Sequence, residues 1–255
     1  MLHSLNDLKR FSLDATDDTV GSVKDLYFDD SDWSVRYLVA NSGFWFFGRD
    51  VLISVESLGK PDLERGTIPV ALSRKQIREL PPADSQPRVS EQERGEPGMS
   101  RWPSFAVTGD GTPSFPPFIP VAGFGPVVVA GREEAARPQE DIPQGDPHLR
   151  SAVELEGYAI AATDGDIGKV RDVIIDRESW RIRYLAVDTG GWFTGHEVVL
   201  SVDWIRRISY PERQVVVGVT RDAIEKSPPL RSLSDLRRSY EEELYRAYGY
   251  PAYWV

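Results

Sequence analysis

The fold is decided by a stretch that the chain contains twice. Residues 14–58 read DATDDTVGSVKDLYFDDSDWSVRYLVANSGFWFFGRDVLISVESL, and residues 161–205 read AATDGDIGKVRDVIIDRESWRIRYLAVDTGGWFTGHEVVLSVDWI. They align without a gap at an offset of 147 and are identical at 18 of 45 positions. The same offset relates Pro81-Pro82 to Pro228-Pro229. A duplicated module is therefore expected, with two copies of one small fold instead of one large domain.

The repeat divides the chain into four predicted segments. Copy 1 occupies residues 1–82, a linker 83–148, copy 2 149–229, and a C-terminal helix with an aromatic tail 230–255. The linker holds 11 prolines and 8 glycines in 66 positions, a composition typical of irregular or disordered chain. Its apolar stretch FPPFIPVAGFGPVVVA leaves a second reading open, in which it packs across a copy or presents a peptide to a partner.

Composition narrows the class of protein. The chain has no cysteine, which excludes disulfides, thiolate metal sites and cysteine nucleophiles. A net charge of -10 argues against nonspecific nucleic-acid binding, because phosphate contacts use clustered Lys and Arg. The N-terminus lacks a secretory pattern, and no apolar run suits a membrane helix. We expect a cytoplasmic protein with no transmembrane segment and no nucleic-acid partner.

Clusters of β-branched and aromatic residues between turn residues predict an all-β fold. Each copy is expected to form a small antiparallel β-barrel that ends in a short capped helix, with the two barrels in a pseudo-twofold arrangement. The predicted strands are 20–28, 35–40, 50–54 and 67–71 in copy 1, and 167–175, 181–187, 197–201 and 214–219 in copy 2. Residues 232–248 predict a helix with one apolar stripe formed by Leu233, Leu236, Tyr240, Leu244 and Tyr248.

No motif predicts catalysis, and we expect neither an enzyme nor a cofactor. The three histidines have no metal-ligand spacing, and no nucleophile elbow or phosphate loop is present. Aspartates of copy 1 invite comparison with a hard-metal site, but copy 2 replaces Asp14 by Ala161, and Asp30 by Arg177. Solvated turns are therefore the preferred interpretation and weak cation binding the alternative, so no metal site is predicted.

Aromatic clusters supply the predicted partner-binding residues. Adjacent residues of a strand point to opposite faces, so each cluster should leave an aromatic side chain outside its own barrel. Such side chains are enriched at protein interfaces, and they cover either the contact between the copies and the tail or another protein. The predicted set is Trp45, Phe46, Phe47, Trp192, Phe193, Tyr250, Tyr253 and Trp254.

A second set of residues is predicted to be structural. Trp33 and Trp180 follow the first turn of each copy and are interpreted as core anchors, with ligand stacking as the alternative. Arg36 is expected to form a cross-strand ion pair with Asp25 on the preceding strand, and Arg183 to pair in the same way with Asp172.

These residues carry a resemblance to the PRC-barrel family. Copy 1 shows Gly21-x-Val23-x-Asp25, then Trp33-x-x-Arg36-Tyr37-Leu38, then Gly43-x-Trp45-Phe46-x-Gly48. Copy 2 shows Gly168-x-Val170-x-Asp172, then Trp180-x-x-Arg183-Tyr184-Leu185, then Gly190-x-Trp192-Phe193-x-Gly195. The order, the spacing and the double occurrence make the resemblance specific over residues 2–82 and 149–229.

The resemblance implies a non-catalytic module that binds other proteins, as an adaptor or assembly scaffold. The family includes the cytoplasmic domain of the photosynthetic reaction-centre H subunit and the C-terminal domain of a ribosome-maturation factor. It therefore implies two alternatives, an accessory of a membrane bioenergetic complex and a ribosome-assembly or RNA-processing factor. In the first, Asp25 and Asp172 would help to conduct protons. The identity of the protein partner stays open.

Overall fold

The computed structural model describes residues 2–41, 49–86, 88–89, 146–190 and 197–251. All of them belong to one compact unit, Met1–Glu93 with Gly145–Val255. Most of the predicted linker lies outside the described residues. Both interpretations of it, as irregular chain and as a segment that packs on a copy or binds a partner, therefore stay predictions. Within the described ranges, no helix has the length and apolarity needed to cross a membrane.

The two copies share most of their elements, because the repeated residues repeat their turn and strand signals. Copy 1 contains β1 (Leu2–Ser4), α1 (Leu5–Leu8), β2 (Ser12–Asp14), β3 (Thr19–Asp29), β4 (Val35–Asn41), β5 (Asp50–Ser54), β6 (Thr67–Pro69) and α2 (Arg74–Glu79). Copy 2 contains β7 (Leu149–Ser151), β8 (Ala159–Ala162), β9 (Gly165–Asp176), β10 (Arg181–Asp188), β11 (Glu197–Ser201), β12 (Ile205–Ser209), β13 (Gln214–Val217) and α3 (Arg221–Glu225). Copy 2 differs in having one additional strand, β12, and a 3₁₀ turn in place of α1. The C-terminal helix α4 covers Arg238–Tyr248.

Short helices begin where the sequence provides a cap. Ser73 and Gln76 form the predicted capping box of α2, and the Thr220 hydroxyl accepts from the amide of Ala223 at the start of α3. The predicted C-terminal helix starts later than expected, because Leu233–Asp235 forms a separate 3₁₀ turn. This turn follows Ser232, whose hydroxyl accepts from the nearby amide of Ser234.

The strands form two sheets, and the protein is mostly β. One sheet has the order β5-β4-β3-β2-β6 and the other β11-β10-β9-β8-β13-β12. The prediction of purely antiparallel sheets is wrong, because β2 pairs with β6, and β8 with β13, in parallel. In each copy the parallel pair joins the first strand of the antiparallel meander to a strand that follows the meander in the chain. Both strand orders are open, so barrel closure stays a prediction.

Each copy gives its first strand to the sheet of the other copy. Strand β1 pairs with β9, with Leu2 opposite Asp176. Strand β7 pairs with β3, with Leu149 opposite Asp29. Both registers are equivalent under the sequence offset of 147, and most of the buried apolar residues of the two copies form one continuous core. The copies therefore complete each other's sheets.

Candidate protein-interaction site

Helix α4 lies against the second sheet and is anchored there by buried hydrogen bonds. The Tyr184 hydroxyl of β10 donates to Glu241 Oε1 over 2.6 Å. The hydroxyls of Ser201 and Tyr245 are 3.0 Å apart. Leu244 and Tyr248 complete the buried face of the helix, and burial raises the pKa of Tyr248. The C-terminal helix is thus part of the folded body.

The helix brings three tyrosines around Trp204, which lies in a 3₁₀ turn after β11. The ring centroids of Trp204 and Tyr248 are 4.2 Å apart, and those of Trp204 and Tyr245 are 5.2 Å apart. Tyr250 stacks on the same indole with centroids 5.5 Å apart and an interplanar angle of 29°. We call Trp204, Tyr245, Tyr248 and Tyr250 the tryptophan cluster.

Tyr250 is the exposed member of the tryptophan cluster. It keeps 39% of its accessible surface, whereas Trp204 keeps 3%. The Tyr250 hydroxyl also lies 3.4 Å from the carbonyl oxygen of Gly218, which fixes the ring at the end of β13. The other predicted partner-binding residues lie outside the described ranges: Trp45, Phe46, Phe47, Trp192, Phe193, Tyr253 and Trp254.

Sequence reasoning missed Trp204. The signal was present, because copy 1 has Ser57 at the equivalent position. Because only one copy carries this tryptophan, the fold that both copies share does not require it. The structure shows that it serves the contact with α4, an element that follows copy 2 only.

Asp25 and Asp172 make equivalent contacts across the two copies. Asp25 accepts from the Ser151 hydroxyl at 2.5 Å and from the Val153 amide at 3.0 Å. Asp172 accepts from the amide of Asn6, the equivalent of Val153, at 3.3 Å. Asp25 of copy 1 therefore binds the turn that follows β7 of copy 2, and Asp172 of copy 2 binds the turn that follows β1 of copy 1.

Burial changes the ionisation of both carboxyls. It raises the pKa of Asp25 to about 6, although hydrogen bonds from Ser151, Val153 and Leu26 oppose the change. Burial also raises the pKa of Asp172. Asp25 lines a cavity of about 430 Å³ that Lys24, Arg49 and Arg88 also line.

Trp33 and Trp180 lie in the turns where the two meanders meet. Both are buried and both have positive φ, 62° and 49°, which is uncommon for a bulky residue. The carbonyl of Trp33 accepts from the Ile182 amide at 2.9 Å, and that of Trp180 accepts from the Val35 amide at 2.8 Å. The structure thus places both tryptophans in the core at the junction between the copies.

The prediction of an ion pair between Arg36 and Asp25 is wrong. Arg36 Nη2 lies 2.8 Å from Asp29 Oδ2, because the register places Asp25 opposite Val39, three residues beyond Arg36. Burial acts to raise the pKa of Asp29, but hydrogen bonds from Ser31 and Arg36 lower it to about 2. The same register in copy 2 places Asp172 opposite Ala186, three residues beyond Arg183.

Asp29, Asp30 and His148 bring potential metal ligands within 4.8 Å of one another. Basic side chains already contact both carboxylates. Asp30 contacts both His148 Nδ1, at 2.8 Å, and Arg150 Nε, while Asp29 binds Arg36. The hydrogen bond to Asp30 raises the pKa of His148. We interpret the cluster as an ion-pair network that fastens β7 to the first sheet.

The chain belongs to the PRC-barrel domain family. The family model for this domain matches residues 3–77 and 147–224, which together make up more than half of the chain. The two matches correspond to the two copies, and they confirm the tandem resemblance that the sequence motifs carry.

One curated relative comes from Deinococcus radiodurans and is described as an uncharacterized protein. It is 47% identical to this chain over 51 residues. The match covers 20% of this chain and 19% of the relative. The similarity therefore concerns a short stretch of each chain.

Proposed function

We propose that the chain is a non-catalytic adaptor or assembly scaffold that binds another protein in the cytoplasm. The observation that carries the proposal is the tryptophan cluster, which ends in exposed Tyr250 at the end of a docked helix. Tyrosine and tryptophan are over-represented where proteins bind one another. Family membership supports the proposal, because the PRC-barrel resemblance implies a protein-binding module.

The proposal includes two small barrels related by a pseudo-twofold axis. Support comes from contacts that the offset of 147 maps onto each other, such as the exchanged strands. Further support comes from equivalent residues that touch directly. Lys9 Nζ lies 2.6 Å from Glu156 Oε1, and Ser34 forms a bridge with Arg181. Such self-contacts are expected near a twofold axis.

Site-specific photocrosslinking tests the proposal. A photoreactive phenylalanine analogue replaces Tyr250 in the full chain, and crosslinked proteins are identified by mass spectrometry in the native cell. Lys75, an exposed residue of α2, is the matched control position. We expect a partner that crosslinks from position 250 and not from position 75. Equal crosslinking from both positions, or none from position 250, would contradict the proposed surface.

One observation favours a second candidate, an accessory of a membrane bioenergetic complex. Asp25 has a pKa of about 6 and lines a cavity, and a carboxyl of that pKa exchanges protons close to neutral pH. Photocrosslinking separates the candidates, because subunits of a reaction-centre-like complex would be captured. Capture of ribosomal proteins would instead favour the role in ribosome assembly.

A further inference from the structure

Strand β12 (Ile205–Ser209) is an edge of the second sheet. It pairs with β13 on one side, and the strand order ends at it. Among the described residues, no strand pairs with its other side. An edge strand presents backbone N–H and C=O groups that can accept an added strand.

A groove beside β12 is rich in cations. Its volume is about 300 Å³, and its walls are the turn at Asp30–Trp33, the segment from Pro147 to Arg150, and β12. Arg150, Arg206, Arg207 and His148 line it together with a single carboxylate, Asp30. In a chain with a net charge of -10, this excess of positive charge opposes the overall composition and favours an anionic occupant.

Two arginines of β12 are available for such an occupant. Arg206 is exposed and lies across Gly218, where a Cβ atom would come within 2.8 Å of Arg206 Nε. Glycine thus allows the guanidinium to lie flat over the end of β13. Arg207 pairs with Glu212 at 3.1 Å, but both side chains are more than half exposed. An exposed pair of this kind is weak, and an incoming carboxylate can replace it.

The equivalent region of copy 1 is closed. Gly59, Lys60 and Pro61 stand at the positions of Arg206, Arg207 and Ile208. Pro61 has no N–H to donate, a common device for blocking an edge. Lys60 is also occupied, with Nζ 3.4 Å from Glu178 Oε1. The two copies therefore differ at the position where an added strand would bind.

We propose that β12 binds an extended acidic segment of a partner protein by strand addition. The backbone of the segment pairs with the free side of β12, and its carboxylates contact Arg206 and Arg207. Both arginines are exposed, and they lie where the pairing of β12 with β13 is irregular, between Ile205 and Arg207. This inference rests on the proposed protein-binding function and names the chemistry of the segment. Tyr250 and Arg206 both lie beside Gly218, so one partner can contact both.

A synthetic probe tests the inference without the natural partner. The probe is a fluorescein-labelled nonapeptide of alternating glutamate and valine, titrated with the full chain by fluorescence anisotropy. We expect saturable binding that the double variant Arg206→Glu, Arg207→Glu weakens by about tenfold or more. The matched control Lys60→Glu, at the position of Arg207 in copy 1, should change the affinity by less than about twofold.

Hydrogen exchange supplies a readout that needs no variant. On the unmodified chain, the probe should slow exchange of the amides of residues 205–209. Absence of binding, equal binding of a lysine–valine nonapeptide, or protection confined to other residues would overturn the inference. So would a concentration-dependent dimer that protects residues 205–209 without probe, because a second copy would then occupy the edge. If the nonapeptide fails while position 250 still crosslinks a partner, the proposed function stands and this inference does not.

Discussion

Replacement of Asp25 by Asn should change the stability of the protein in a pH-dependent way. Relative to wild type, the variant should be more stable at pH 8 than at pH 4. The Asp25 carboxyl is 6% exposed, and its pKa rises from 3.8 to about 6 on folding. The folded chain therefore binds a proton that the unfolded chain has released between these pH values, and stability falls as the pH rises through this window. Asn removes this proton linkage and retains the hydrogen bonds, since its Oδ1 accepts from Leu26 and Val153 and its Nδ2 donates to Ser151.

The magnitude follows from the pKa change. A change of about two units at about 1.4 kcal/mol per unit gives about 3 kcal/mol between the protonated and the ionised carboxyl. More than half of the unfolded carboxyls are already ionised at pH 4, because their pKa is 3.8. The free-energy difference between variant and wild type should therefore change by about 2.5 kcal/mol in favour of the variant from pH 4 to pH 8. Comparison with wild type cancels the other titrating groups, which both proteins share.

Urea unfolding followed by tryptophan fluorescence measures this difference at each pH. Asp172→Asn is the matched variant, because Asp172 occupies the equivalent position and burial also raises its pKa; its effect should have the same sign. A difference between Asp25→Asn and wild type that stays constant within about 1 kcal/mol from pH 4 to pH 8 would refute the reasoning.

Three further changes test the fold. Trp180→Ala should lower the free energy of unfolding by about 3 to 5 kcal/mol, whereas a loss below about 1 kcal/mol in denaturant titration would contradict its role as a core anchor. Gly168→Ala should destabilise the protein by more than about 1 kcal/mol, because its φ is +72° and a Cβ atom would lie 2.1 Å from the carbonyl oxygen of Asp188; a wild-type melting temperature would contradict this geometry. Deletion of residues 232–255 should lower the melting temperature and expose dye-binding apolar surface, while an unchanged melting curve would mean that α4 does not stabilise the body.

Local signals predicted the meander of each copy. The strand predicted at 35–40 corresponds to β4, and those at 50–54 and 197–201 match β5 and β11. These strands combine β-branched residues with bounding turns. The capping box at Ser73 also appeared as expected, because its hydrogen bonds involve only neighbouring residues.

The contacts between the copies could not be predicted from local sequence patterns. Strands β1 and β7 have three residues each, too few for a periodic pattern, and they pair with the other copy. The partner of Arg36 depended on the β3–β4 register, which contains bulges between Val23 and Asp25 and between Tyr27 and Phe28. The open edge at β12 becomes visible only when the two copies are compared in three dimensions.

The exchange of first strands sets an order of events during synthesis. Asp25 and its partner Ser151 are 126 residues apart, so the first sheet leaves the ribosome before β7 exists. At about 5–20 residues per second, the delay is roughly 6 to 25 s. During this interval the end of β3, from Tyr27 to Asp29, lacks the strand that pairs with it in the folded chain, and an unpaired strand edge is a known route to aggregation. A nascent chain paused before residue 149 should therefore need chaperone protection that the completed chain does not.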